Sequence, residues 1–501
     1  AHRADADWPH TSVVVPSLSV NQAELAKVDG AAFYEERLLF TLIRLSHPAA
    51  RVVYITSQPI HSETLEYYLQ HLPGIPIGRA RSRLLVLCLN DATPKPLTAK
   101  ILERPRVIER IRRWMGPPDR AYLTVYNSTP LERRLAVELG IPLNSADPAV
   151  LWAGSKSGGR RVFAKAGVSH APGEGDVHSR DDVVRVLDRL ATESKGLRRA
   201  VVKLDEGFAG EGNGSYRFPE DLPESGDERL SAIRAGLDDM QWPGSRETPA
   251  AFFEKLANMG GVVEGWIDAP EALSPSVQVR VLPDGGIDVS STHDQVLGGS
   301  TGQVYLGCHF PAARAYRDLI RTDAQRIAET LRDEGVVGRF GIDFLVTRAP
   351  GEEWKSHAIE INLRMGGTTP PFMALEFLTN GDYREDSGEY VAPDGHAKYY
   401  FATDNLKSDA YRGLLPEDLF DLLVEHGIHF KHSTLTGVMF FMIGALSQYG
   451  KLGVTSIGNS PEEADELYRT TVAILDRETG AEAESRGVPH SLFERATPSL
   501  D

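Results

Sequence analysis

The stretch "IEINLRMGG", residues 359–367, alternates polar and apolar side chains in the way that a half-buried strand does. In a strand, successive side chains point to opposite faces of the sheet. Glu360, Asn362 and Arg364 would therefore share one face, while the apolar residues between them face the core. A carboxylate, an amide and a guanidinium that converge from one strand predict a functional site on that face.

A second carboxylate stands in the preceding strand-like segment, "GRFGIDFLV", residues 338–346. A polar turn separates the two segments, so we expect an antiparallel pair that places Asp343 beside Glu360 and Asn362. Asp, Glu and Asn oxygens suit a hard divalent cation, and magnesium in particular. The alternative is a solvated strand face without function. The apolar surroundings of Asp343 disfavour it, because a buried unpaired charge is costly.

A glycine-rich loop in "AVVKLDEGFAGEGNGSYRF", residues 200–218, lies between two predicted strands. Its glycines would let backbone N–H groups approach phosphate oxygens, and Lys203 in the strand before the loop could reach the same phosphates. The spacing is not that of a P-loop. A bare flexible turn is the competing interpretation of this motif.

Three further features flank this loop along the chain. Lys156 in "GSKSGGRRVFAKAGV" precedes a predicted helix, where it could also be an ordinary surface residue. The segment "GGVVEGWI", residues 260–267, could be a hinge strand whose backbone contacts a base. Arg280 in "SVQVRVL" has a guanidinium that suits carboxylate or phosphate, and a structural ion pair is the alternative.

The composition is that of a globular protein with several domains. The chain has 501 residues, of which 41% are hydrophobic and 25% charged. A net charge of -16 without a basic stripe argues against a nucleic-acid partner. Cys88 and Cys308 are too few for a framework of disulfide bridges, and they lack the paired spacing of a zinc site. We therefore expect reduced thiols and a cytoplasmic location. The longest apolar run, residues 435–446, is too short to span a membrane and predicts a buried strand.

The order of strand-like and helix-like segments predicts an α/β protein. The first 150 residues alternate between the two, which predicts a parallel sheet flanked by helices. No G-x-G-x-x-G motif follows the first strand, which argues against a dinucleotide site there. After residue 150, hairpins and glycine-rich turns predict an α+β region. The predicted division of the chain is 1–150, 151–267, 268–390 and 391–501.

The order of these motifs resembles that of the ATP-grasp superfamily. The segments "YEERLLF", "VVYITSQPI" and "KSGGRRVFAKAGV" are most similar to ATP-dependent carboxylate–amine ligases of the pheganomycin peptide-ligase type. The resemblance implies a Rossmann-like pre-ATP-grasp domain, then an ATP-grasp fold of two α+β subdomains and a C-terminal closing segment.

The resemblance also implies roles for individual residues. It implies Mg²⁺, with Mn²⁺ as an alternative, at Asp343, Glu360 and Asn362, and an acyl phosphate steadied by Arg280 and Arg364. Either Glu264 or Glu271 would bind the ribose. The resemblance further implies that ATP is bound by lysines at its phosphates, by the glycine-rich loop that covers them and by the hinge strand. These residues are Lys156, Lys203, Gly207, Phe208, Gly210, Gly212, Glu264, Trp266 and Ile267.

The implied reaction joins a small-molecule carboxylate to an amino acid or peptide amine, through an acyl phosphate, with release of ADP and phosphate. The glycine-rich stretch 291–311 could border the acceptor pocket, with His293, Gln295 and also Arg364 as substrate-binding candidates. A structural role for His293 is the alternative. A phosphotransferase and a nucleotide-binding regulator without turnover are the competing functions. The apolar segment 31–45 leaves room for a homodimer interface.

Overall fold

The computed structural model describes residues 8–19, 30–194, 196–207, 212–242, 248–298 and 304–480. Its N-terminal unit is a parallel sheet with the strand order β3-β2-β1-β4, as the alternating pattern predicted. The strands are β1 (His10–Val15), β2 (Ala50–Thr56), β3 (Leu84–Cys88) and β4 (Ala121–Val125).

Helices connect these parallel strands. The last of them begins at Pro130, where the Thr129 side chain accepts a hydrogen bond from the backbone N–H of Leu131, and it ends before Gly140 in the left-handed region. The α-helices are Ser62–Gln70, Ile77–Arg81, Leu97–Leu102, Pro105–Met115 and Pro130–Leu139, and 3-10 helices span Ala31–Ser46 and Pro118–Arg120.

A four-stranded antiparallel sheet with the order β5-β8-β6-β7 follows. Its strands are β5 (Gly173–Val177), β6 (Arg199–Leu204), β7 (Asn213–Arg217) and β8 (Gly261–Gly265). The accompanying α-helices are Lys156–Ala166, Arg180–Glu193, Gly226–Gly236 and Pro249–Met259, with 3-10 helices at Pro148–Gly154 and Leu237–Asp239. The helix at 226–236 lies in a segment rich in acidic residues.

A nine-stranded sheet makes up the rest of the molecule, with the order β14-β13-β10-β11-β12-β17-β19-β18 and β9 paired to β13. The sheet continues across residue 390, so the two last predicted units share it through the pairing of β12 with β17. The strands, with the separate β15–β16 hairpin, are β9 (Glu271–Leu273), β10 (Pro275–Val281), β11 (Ile287–Gly298), β12 (Val304–Phe310), β13 (Gly338–Arg348), β14 (Lys355–Asn362), β15 (Asp382–Arg384), β16 (Glu389–Val391), β17 (Tyr399–Lys407), β18 (Gly437–Phe441) and β19 (Lys451–Gly458).

Helices cover this sheet. The long helix at 314–333 buries Ile320, Ile327 and Leu331 against β10 and β13, and so supports the strands that carry the predicted site. The α-helices are Arg314–Asp333, Thr369–Thr379, Pro416–Glu425, Leu446–Tyr449 and Pro461–Thr479, and 3-10 helices span Asp409–Gly413 and Ile443–Ala445.

The apolar segment 31–45 packs against other parts of the same chain. Its residues Leu38, Leu39 and Leu42 are fully buried in the largest core, together with Phe440 and Met442 from the C-terminal part of the chain. This packing within one chain removes the reason for which the segment was expected to leave room for a dimer interface. None of the helices within the described residues combines the length and apolar character that crossing a membrane would require.

Candidate active site

The two predicted carboxylates lie side by side. β13 and β14 pair antiparallel, with Asp343 opposite Glu360 and Gly341 opposite Asn362. This register confirms the arrangement that the sequence predicted. The expectation that Arg364 belongs to the same strand is wrong, because β14 ends at Asn362. The backbone N–H of Arg364 donates instead to the Asn362 carbonyl at 2.7 Å, which makes a tight local turn.

Asp343 is held by amides on two sides. Gln295 in β11 donates from Nε2 to Oδ1 of Asp343 at 2.6 Å, and Asn362 donates from Nδ2 to Oδ2 at 2.9 Å. Burial, followed by repulsion from Glu360, raises the pKa of Asp343 to about 7. Two adjacent ionised carboxylates in such surroundings destabilise the folded protein unless a cation binds to both.

Lys156 is the cation that the protein itself supplies there. Its Nζ lies 2.6 Å from Oε1 of Glu360, although the two residues are 204 positions apart. Burial alone would raise the pKa of Glu360, but the charge of Lys156 and its hydrogen bond lower it. The helix that begins at Lys156 is fixed by Ser155, whose side chain accepts from the backbone N–H of Gly158.

The donor set fits magnesium. Two carboxylates and an amide oxygen are a set that magnesium accepts when substrate phosphates and water complete its coordination. Among the described residues, no group of three or more His, Cys, Asp and Glu side chains could hold a metal by itself. The residues that would hold magnesium are Asp343, Glu360 and Asn362.

A second ion-pair centre lies in the four-stranded sheet. Glu264 in β8 is 5% exposed and accepts from two cations, with Oε2 at 2.8 Å from Nζ of Lys203 and Oε1 at 2.7 Å from Nη1 of Arg160. Burial alone would raise the pKa of Glu264, but Lys203 and then Arg160 lower it. Arg160 was not among the site residues predicted from the sequence. Its place within "KSGGRR", one helical turn after Lys156, was the available signal.

The glycine-rich segment is a hairpin in which β6 pairs with β7 and Lys203 lies opposite Asn213. The backbone N–H of Leu204 donates to the Gly212 carbonyl at 2.9 Å, and Gly212 has a φ of +85°, which favours glycine. Gly207 and Gly212 therefore lie close to each other near the end of the strand that carries Lys203. The predicted residues Phe208 and Gly210 lie outside the described residues.

The predicted hinge follows β8 directly. The backbone N–H of Trp266 donates to the Arg199 carbonyl at 2.9 Å, and the Arg199 guanidinium lies 3.9 Å from the centre of the Trp266 ring. Ile267 is partly buried beside it. This segment is therefore anchored to β6, the strand that also carries Lys203.

Of the two substrate candidates in β11, the structure places only Gln295 against the carboxylates. His293 is fully buried, its Nε2 lies 2.7 Å from the hydroxyl of Tyr400, and burial lowers its pKa to about 3. This placement matches the structural alternative that was left open for His293. Arg280 lies opposite Arg339 in β13 and opposite Asp288 in β11, away from the row of Asp343.

Comparison with known proteins gives the family of the chain. The profile described as "IQCH-like, ATP-grasp" matches residues 149–217 and 245–384, and "PGM1 C-terminal domain" matches residues 418–471. L-propargylglycine–L-glutamate ligase of Streptantibioticus cattleyicolor is 30% identical over 475 residues, which cover 93% of this chain and 94% of that protein. The chain belongs to the ATP-grasp carboxylate–amine ligases. It is an ATP-dependent enzyme that forms C–N bonds.

Solved structures share the fold of this ligase. Biotin carboxylase of Campylobacter jejuni in complex with β,γ-ATP has a TM-score of 0.55 at 12% identity, covering 94% of the ligase and 92% of that chain. N5-carboxyaminoimidazole ribonucleotide synthetase in its ADP complex has a TM-score of 0.51 at 12% identity, covering 94% and 97%. These likenesses confirm the predicted architecture.

Replacement of Lys156 by Met tests its predicted contact with ATP. We expect the KM for ATP to rise by about 10- to 100-fold, because a hydrogen bond to a charged group contributes roughly 1.5–3 kcal/mol. Initial rates across a range of ATP concentrations would measure this. Lys165→Met is the matched control, since this exposed lysine in the same helix pairs with Glu334 at 2.6 Å. An unchanged KM for ATP in Lys156→Met would contradict the assignment.

Proposed function

We propose that the ligase uses ATP to activate a substrate carboxylate as an acyl phosphate, and that an amino acid or peptide supplies the amine. The products are an amide, ADP and phosphate. The relative from Streptantibioticus cattleyicolor is named for L-propargylglycine and L-glutamate. We propose the same class of substrates here, namely two amino acids or an amino acid and a short peptide.

The observation that carries the proposal is the convergence of unlike charges on one sheet face. Asp343, Glu360 and Asn362 share that face, and Lys156 reaches it from another unit of the chain. Magnesium held by the first three would neutralise charge on the transferring phosphoryl group. Lys156 and Lys203 would hold the phosphates of ATP, and Arg364 would lie next to the acyl phosphate.

The two chemical steps balance without a further reactant. An oxygen of the substrate carboxylate attacks the γ-phosphorus of ATP, the bond from that phosphorus to the bridging oxygen breaks, and ADP leaves. The amine nitrogen then attacks the acyl carbon, the bond from that carbon to the phosphate oxygen breaks, and the nitrogen loses a proton. Exclusion of water by the glycine-rich hairpin would protect the acyl phosphate from hydrolysis.

Asn362→Ala is expected to lower kcat by about 100-fold while the protein remains folded, because a ligand of the metal is lost from a strand end. Asn362 is only partly buried, so the change leaves no large cavity. Steady-state rates and a thermal melt of the same preparation would separate the two effects. Unchanged amide formation in this variant would remove Asn362 from the proposed metal site.

The decisive experiment for the function is product analysis by mass spectrometry. The enzyme is incubated with ATP, magnesium and amino acids or short peptides, offered singly and in pairs that include L-glutamate and L-propargylglycine. A product whose mass equals two substrates minus water, formed together with ADP, is expected. A phosphorylated product that does not require an amine would favour the phosphotransferase, and AMP would exclude the acyl-phosphate route.

A further inference from the structure

A glutamine side chain crosses a whole strand to reach the proposed metal site. Gln295 in β11 donates from Nε2 to Oδ1 of Asp343 in β13 at 2.6 Å, and β10 lies between these two strands. Neighbouring strands are about 4.8 Å apart, so the contact spans about 10 Å of the sheet. The residue of β10 that lies opposite both Asp343 and His293 is Ser276, whose side chain is short enough for a glutamine to pass.

The backbone that carries Gln295 is held from two sides. Asp294 points to the opposite face of the sheet, where its carboxylate accepts from the backbone N–H of Ala313 and from the hydroxyl of Tyr316, both at 2.8 Å. These two partners lie at the start of the long helix that covers the sheet. The backbone N–H of Gln295 donates to the Ser274 carbonyl at 3.2 Å. The side chain of Gln295 therefore extends from a fixed position toward Asp343.

Two neutral amides hold Asp343, one at each carboxylate oxygen. Gln295 donates to Oδ1, and Asn362 donates to Oδ2 at 2.9 Å. An ionised carboxylate has about four lone-pair sites, so two amide donors occupy about half of them. The two hydrogen bonds thereby set the orientation of the carboxylate and still leave it able to bind a cation.

The partner of Glu360 is of a different kind. Lys156 carries a full positive charge 2.6 Å from Glu360, so it repels a metal ion that binds to the same carboxylate. The amide of Gln295 has no net charge and does not oppose the metal in this way. It can therefore keep its contact with Asp343 while a cation binds, which a group that orients a metal ligand must do.

We propose that Gln295 is a positioning residue for the magnesium ligand Asp343, and this proposal rests on the proposed function. Gln295 fixes the orientation of the Asp343 carboxylate and does not itself bind the metal. Loss of a partner that orients a metal ligand typically lowers metal affinity or activity by about 10- to 100-fold. This role differs from the contact with substrate for which Gln295 was a candidate in the sequence. It also differs from a purely structural contact, whose loss would be felt with or without metal.

The test measures how strongly a metal ion tightens the binding of nucleotide. The Kd of a non-hydrolysable ATP analogue is measured by calorimetry in Mn²⁺ and in EDTA, for wild type and for Gln295→Met. Methionine has a similar length and volume but no hydrogen-bond donor. We expect Mn²⁺ to strengthen binding about 10-fold less in Gln295→Met than in wild type, with an unchanged Kd in EDTA. In amide formation, the magnesium concentration that gives half the maximal rate should rise, while kcat at saturating magnesium should change little.

Gln325→Met is the matched control, because the amide of Gln325 donates to the Glu329 carboxylate at 3.0 Å on the surface of the helix at 314–333. It removes a hydrogen bond of the same type outside the site and should leave both Kd values as in wild type. A thermal melt of each variant checks folding. If Gln295→Met does not fold, Gln295→Asn replaces it. This variant keeps the amide on a side chain that is one methylene shorter, and the same loss is expected.

Each other result counts against the proposal in a recognisable way. An unchanged effect of Mn²⁺ in Gln295→Met would overturn the role of Gln295 and leave the metal site intact. Equal weakening in Mn²⁺ and in EDTA would show a structural role and overturn it as well. If Mn²⁺ does not strengthen binding in wild type, the metal site and this proposal both fail. Because the measurement needs no turnover, it still decides the role of Gln295 if wild type forms no amide and the proposed reaction is wrong.

Discussion

Glu360→Gln is expected to reduce amide formation by about 1,000-fold or more, because it removes a charged ligand from the predicted metal site where the phosphoryl group is transferred. The substitution keeps the shape of the side chain and an oxygen that can still accept a hydrogen bond from Lys156, 2.6 Å away. The loss should therefore appear in kcat and in magnesium dependence, which initial rates at varied magnesium concentrations measure.

The same variant should remain as stable as wild type. Glu360 is one of the causes, after burial, of the raised pKa of Asp343, so removal of its charge relieves repulsion in the metal-free protein. This gain offsets the weakened pair with Lys156, and we expect the melting temperature to change by no more than about 3 °C.

Glu352→Gln is the control for Glu360→Gln. Glu352 is an exposed carboxylate that lies just before the same strand and pairs with Lys355 at 2.9 Å. It should leave activity and stability unchanged. Retention of more than about a tenth of the wild-type rate by Glu360→Gln would exclude Glu360 as a metal ligand whose charge the reaction needs.

Local patterns in the sequence were sufficient to predict the strand that carries Glu360 and Asn362. Alternation is a property of neighbouring residues, and the short turn between β13 and β14 allows one simple pairing, so the side-by-side placement of Asp343 and Glu360 followed. The pattern did not show where the strand ends. The turn at Asn362 removes Arg364 from the ladder, although the alternation of side chains continues through it.

Contacts between distant parts of the chain could not be predicted in the same way. Arg160 and Glu264 are 104 residues apart, and nothing local to either one indicates the other. The strands after residue 390 likewise join the central sheet through β17, which no spacing in the sequence specifies.

Glu264→Gln is expected to destabilise the folded protein by about 3–5 kcal/mol, because it leaves two buried cations without their shared carboxylate. The side chains of Glu264, Lys203 and Arg160 are 7%, 13% and 10% exposed, so water cannot replace the lost charge. The free energy of unfolding from urea titrations would measure the effect. It would be accompanied by weaker ATP binding, since Lys203 would lose the partner that positions it.

The destabilisation should depend on pH with a definite sign. The pKa of Glu264 in the folded protein lies below its ordinary value of 4.5, because the attraction of Lys203 and Arg160 outweighs the effect of burial. Its stabilising contribution is therefore fully present above the pKa of the unfolded chain, and it is lost as the pH falls through the folded pKa. The difference between wild type and Glu264→Gln should be constant near pH 7 and shrink below about pH 4.5.

Glu271→Gln provides the comparison, and it also decides between the two acidic residues considered for the ribose. Glu271 pairs with Arg348 at 2.6 Å, but the two side chains are 43% and 38% exposed, so the loss should not exceed about 1 kcal/mol. If Glu271→Gln raises the KM for ATP without destabilising the protein, Glu271 is the ribose ligand. Glu264 would then act by holding Lys203 and Arg160 in place. If Glu264→Gln is as stable as wild type at pH 7, the three side chains do not form the buried ion-pair centre described above.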